Sequence, residues 1–168
     1  MIGARASQIN VMFMLKPKIT QWPDAPVPAS CESPILHVNG RELFISYLIA
    51  PVALQTEDQD ECGVVKFGGV SVFTYGYPND EALPGHPLIG FGLEYYSFNV
   101  IENSPRIEEM KKQNAVRFPD SGWLWDKRKH FIVTFQDDTL EVVCSEISFL
   151  GRVATDDRRK ALEYYVGK

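Results

Sequence analysis

The groups in this chain best placed to do chemistry sit in one proline-bounded run, Tyr77-Pro78-Asn79-Asp80-Glu81-Ala82-Leu83-Pro84-Gly85-His86-Pro87-Leu88-Ile89. It collects an imidazole, two carboxylates and an amide in a segment that its prolines and glycine keep out of regular structure. A histidine held on a rigid loop suits ligand binding or proton transfer near neutral pH. Tyr77, Asn79, Asp80, Glu81 and His86 are therefore the candidate binding loop. Glu94 and His130 are the further titratable groups that the following strands can bring to it. The plainer reading is that Gly85 and the prolines shape a β connection and His86 ties it down.

Other chemistries find less support. A nucleophile elbow of the Gly-x-Ser-x-Gly kind is absent, and the only hydroxyl in the loop is that of Tyr77. The histidines His37, His86 and His130 fall one to a region, without the fixed spacing of a metal site. Cys31, Cys62 and Cys144 form no Cys-x-x-Cys pair and no disulfide framework. Cys144 lies in the apolar run Leu140-Glu141-Val142-Val143-Cys144 and reads as a small buried hydrophobe. Glycine-rich phosphate loops and helix-turn-helix patterns are missing, so no cofactor is expected. Residues 123–130, Trp-Leu-Trp-Asp-Lys-Arg-Lys-His, mix aromatics with cations as single-strand RNA binders do. An ordinary loop with a solvated basic end explains them as well.

The elements that must position these groups are mostly strands. Asn39-Gly40 between apolar runs predicts a hairpin of residues 35–38 and 41–50, because both turn residues need positive φ. Leu43, Ile45, Tyr47 and Ile49 share one face of its second strand, with Phe44 and Leu48 on the other, so both faces should be covered. Gly68-Gly69 predicts a second hairpin, residues 64–67 with 70–75. A strand over 92–101 follows the loop. Ser104 and Pro105 then open a helix over 105–114, with Glu108 and Glu109 early and Lys111 and Lys112 late. Asp137-Asp138 joins a last hairpin, residues 130–136 with 139–147. Thr155 is placed to cap a terminal helix with Ala161, Leu162 and Tyr165 as its apolar side. The reading is an α+β domain, mainly antiparallel β: about seven strands in hairpins, one short helix after the fifth strand, and a C-terminal helix.

Several of these stretches together resemble a family of small, uncharacterised bacterial proteins. They are the 77–88 run, Gly92-Leu93-Glu94-Tyr95-Tyr96, Asn103-Ser104, Gln113-Asn114 and His130-Phe131-Ile132-Val133-Thr134-Phe135. The resemblance covers somewhat under half of the chain. It implies a bacterial source and brings neither an activity nor catalytic residues.

Length and composition frame the rest. The 168 residues are 45% hydrophobic and 12% aromatic, which excludes a disordered chain and suits one domain. Residues 1–30, with Pro17, Pro23, Pro26 and Pro28, read as an extension, and 31–168 as a single β-rich domain. The apolar run Val11-Met12-Phe13-Met14-Leu15 is too short for a secretory core or a membrane span, so a cytoplasmic protein is expected. The net charge of −5 disfavours nucleic acid as the main partner. That total hides opposed blocks. Residues 31–104 hold 2 basic and 10 acidic groups, a net of −8, and residues 105–130 hold 7 basic and 4 acidic, a net of +3. Such asymmetry favours a charged protein partner or a homodimer. The sequence therefore leans toward a non-enzymatic protein-binding domain of inhibitor or immunity type. A small enzyme or ligand-binding domain centred on His86 is the alternative, and RNA binding through residues 123–130 the weaker one.

Overall fold

A computed structural model describes residues 15–51 and 60–167. Its strands are β1 (Lys18–Gln21), β2 (Ile35–Asn39), β3 (Glu42–Leu48), β4 (Glu61–Gly68), β5 (Val72–Gly76), β6 (Phe98–Glu102), β7 (Lys129–Thr134), β8 (Thr139–Cys144) and β9 (Glu146–Ala154). Helix α1 (Pro105–Ala115) follows β6, and α2 (Arg158–Val166) ends the described chain. The strands form two antiparallel sheets, ordered β1-β6-β7-β8-β5 and β2-β3-β4-β9. The α+β class read from the sequence holds, with nine strands where about seven were expected.

Alternation along the strands explains the layering. Leu43, Ile45 and Tyr47 of β3, with Val65 and Phe67 of β4, meet Phe98, Phe131, Val133, Leu140, Val142 and Cys144 of the other sheet in one buried cluster. Each large side chain buried there contributes about 1.5–3 kcal/mol. The opposite face of the four-stranded sheet, Phe44, Cys62 and Val64, is covered by Ala161 and Leu162 of α2. On the outer face of the five-stranded sheet, Ile101 and Ile132 lie beneath Leu83 and Leu88 of the loop and Leu93 just after it. The proline-bounded loop is thus a cover that uses its leucines to hold its polar groups in place.

Several expectations are corrected. The folded sheet begins before residue 31: β1 pairs with β6 from Lys18 opposite Glu102 to Gln21 opposite Asn99. Trp22 packs edge-on against Phe98 and Phe131, with ring centroids 5.7 and 6.3 Å away, and Ala25 is buried. Nearby prolines disguised this strand, which sits at a sheet edge where their missing N–H is tolerated. Residues 1–14 of the expected extension lie outside the described residues.

Asn39-Gly40 does make its hairpin, with Gly40 at φ +59° and Asn39 opposite Glu42. Gly68-Gly69 does not. Gly69, at φ +60°, passes the chain from one sheet to the other, so β4 pairs with β3 and β9 while β5 pairs with β8. The expected strand over 139–147 switches sheets at the same corner, where the Ser145 N–H donates to the Gly68 carbonyl at 3.0 Å. A corner at which strands change sheets is a common way to close a sandwich. The strand expected over 92–101 shortens to β6, because Gly92 at φ +98° and Tyr96 at φ +48° turn the chain before it. Asp157 caps α2 in place of Thr155, accepting from the Arg159 and Lys160 amides. Glu61 opens β4, 2.9 Å from Arg152.

Candidate functional site

Strand β7 and the β8 strand beside it place the central groups. Their register sets His130 opposite Val143 and Ile132 opposite Glu141, so His130 and Glu141 share the outer face. His130 is 1% exposed, and its Nε2 lies 2.9 Å from Glu141 Oε1. The contact is close but poorly aligned with the ring N–H, so it is a weak hydrogen bond. On the other side, His130 Nδ1 lies 2.7 Å from Ser104 Oγ.

Ser104 is held there by α1. As the N-cap it accepts the Ile107 N–H at 3.1 Å, and Pro105 sets the first helical position. A hydroxyl that accepts from the helix keeps its own hydrogen free to donate to His130 Nδ1. That assignment leaves the ring proton on Nε2, facing the carboxylate. The hydrogen bond from His130 holds the Glu141 carboxyl below the usual carboxylate range, against partial burial and with help from Arg106. Arg106 of α1 lines a hollow with Val72, Thr74, Glu141 and Val143.

The loop residues divide. His86 is half-buried and its Nδ1 accepts the Leu88 N–H at 3.1 Å. Burial lowers its pKa; the Glu141 charge opposes this and His130 adds to it. His86, His130 and Glu141 are therefore electrostatic neighbours. Asp80 turns elsewhere and accepts the Tyr96 hydroxyl at 2.5 Å, which pushes the Tyr96 pKa up to about 12. Asn79 Oδ1 accepts the Ala82 N–H and shapes the loop. Tyr77 and Glu81 are exposed, with a cis peptide between Tyr77 and Pro78. Glu94 points outward while its backbone is bound by Asn99 and Thr134. His37, on β2, stands apart beside Phe44. Among the described residues no three metal-binding side chains converge.

Sequence reasoning paired His86 with a carboxylate drawn from Asp80, Glu81 or Glu94 and missed Ser104, Arg106 and Glu141. The signal for Glu141 was present: it is the charged residue in an apolar strand, and pairing across the Asp137-Asp138 turn puts it on the face of His130.

Two features adjoin this cluster. A cleft of about 460 Å³ opens between α1, the end of β6 and residues 125–130, with Ser104 and His130 in its wall. Beyond α1, residues 116–125 fold back through successive turns, fixed by Asn114 Nδ2 donating to Ser121 Oγ at 2.5 Å. This projection leaves Val116 89%, Phe118 60%, Trp123 69% and Leu124 44% exposed. Trp125 alone in it turns inward, to the cleft. Among the described residues no helix is long and apolar enough to cross a membrane. Compared with protein-family models, curated proteins and solved structures, the chain matches none.

Proposed function

We propose that the chain is a protein-binding domain, of the kind that inhibits or neutralises a partner, and that it docks through the projection after α1. The observation that carries this reading is the run of four large apolar side chains, Val116, Phe118, Trp123 and Leu124, exposed within nine residues. Water-exposed aromatics concentrated on a fixed turn are the anchors that dominate protein interfaces. A patch of this kind on a folded domain marks an interaction surface more often than chance exposure does. The surrounding charge gives the partner its character. Lys111, Arg117, Lys127 and Lys129 lie in the same stretch of sequence, a block of net charge +3, which favours an acidic partner surface. Aliphatic Val116 and Leu124 offer nothing for a base to stack on, which favours protein over RNA.

The experiment is affinity capture from the source cells with three baits. The wild-type chain should retain one stoichiometric protein, and the double variant Phe118→Ala/Trp123→Ala should lose it. Tyr164→Ala, which removes an exposed aromatic from α2 on the other sheet, should retain it. Equal capture by all three baits would show that the projection is not the docking surface.

A further inference from the structure

The cleft beside α1 holds groups that docking through the projection does not use. Its volume of about 460 Å³ is that of a small-molecule site. Ile101 and Ile107 supply apolar wall, Lys111 and Glu108 polar rim. Trp125 Nε1–H, in the same wall, is buried without an acceptor among the described residues. A buried donor left without an acceptor is unfavourable, so a ligand acceptor that reached it would be favoured. Ser104, 4% exposed, belongs to the same wall, with its hydroxyl bound to the Ile107 N–H and to His130. Behind it stand His130 at 2.7 Å and then Glu141 at 2.9 Å. Hydroxyl, imidazole and carboxylate in that order are the parts of an activated serine, here with Nδ1 facing the hydroxyl and Nε2 the carboxylate. The strand β6, a strained Asn103 at φ +52° and α1 follow one another, which sets the hydroxyl at a helix N-terminus. There the Arg106 amide is a first-turn donor without an intrahelical acceptor, at the helix end that favours negative charge.

We propose that Ser104, His130 and Glu141 form a hydrolytic centre for small carboxylic esters bound in this cleft. Ser104 Oγ attacks the carbonyl carbon while its proton passes to His130 Nδ1. The ester C–O bond then breaks, and the leaving alkoxide takes that proton and departs as the alcohol. Water adds to the acyl-serine, giving a proton to Nδ1. The acyl C–Oγ bond breaks, Ser104 recovers the proton, and the acid leaves. Ester and water become acid and alcohol, and no other reactant is consumed. Ser104 and His130 are the catalytic residues; Glu141 is a positioning residue that keeps the ring proton on Nε2.

The test treats the full-length protein with a fluorophosphonate probe, maps the labelled peptide, and follows hydrolysis of p-nitrophenyl butyrate. The expected result is a single adduct on Ser104. Ser104→Asn, which preserves a good helix cap, should abolish the label and lower hydrolysis by about 100-fold or more. Glu141→Gln should lower kcat with KM unchanged, a split that a merely structural role would not give. A wild-type chain left unlabelled at Ser104 would overturn the proposal, whatever the variants do. Hydrolysis that survives in Ser104→Asn would overturn it as well.

Discussion

At the scale of single residues, the candidate site is a chain of three contacts from helix to sheet face: Ile107 N–H to Ser104, Ser104 to His130, His130 to Glu141. Glu141 carries a pH signature. Its carboxyl is held below the ordinary range, chiefly by the His130 hydrogen bond, so it stabilises the fold at neutral pH. That contribution is lost as the pH falls from the ordinary carboxylate value through the lowered one. Glu141→Gln should therefore cost stability at pH 7 and flatten the acid side of the stability–pH curve, read by denaturant unfolding at stepped pH. Ser104→Ala should cost about 0.5–2 kcal/mol as a lost cap. The cap itself was legible, because serine followed by proline is a local signal. Its bond to His130 was not, because the two residues are joined only by the register of strands far apart in sequence.

At the scale of elements, two glycine turns separate what is readable from what is not. Asn39-Gly40 makes a hairpin because the apolar faces of β2 and β3 agree in register across it. Gly68-Gly69 offers the same backbone freedom, yet its flanking strands belong to different sheets. Turn chemistry says that the chain can reverse; which strand receives it depends on partners elsewhere, here β8 and β9. The corner is packed around Gly69. A Cβ there would lie 2.7 Å from Ser145 Oγ, and Arg128 Nη1 bridges the Gly69 carbonyl and Ser145 Oγ at 2.6 Å each. Gly69→Ala should therefore destabilise the protein by about 1–3 kcal/mol, through positive φ and the displaced bridge, measured by chemical denaturation. The N-terminal edge gives a second prediction. A chain starting at residue 31 lacks β1 and Trp22, and should lose about 3 kcal/mol or more, or fail to fold. If that truncation melts like the full chain, the packing of β1 and Trp22 contributes nothing.

At the scale of the whole molecule, the opposed charge blocks seen in the sequence meet the exposed projection. The +3 block of residues 105–130 contains α1 and the whole apolar patch. Charge bordering an apolar anchor steers encounter more than it sets final affinity. Raising salt from about 0.1 to about 1 M shortens the screening length from about 10 to about 3 Å. The association rate of the captured partner should fall at least several-fold over that range, with a smaller change in dissociation, read by surface plasmon resonance. Composition fixed the charge asymmetry, but exposure could not be read from it: Trp123 and Trp125 are two residues apart, one outward and one turned to the cleft. The most direct measurement places a photoreactive amino acid at position 123 in the source cells, with position 164 as the control. Docking through the projection predicts one dominant protein adduct from position 123 and none from 164. No adduct at 123, or the same adducts from both positions, would contradict it.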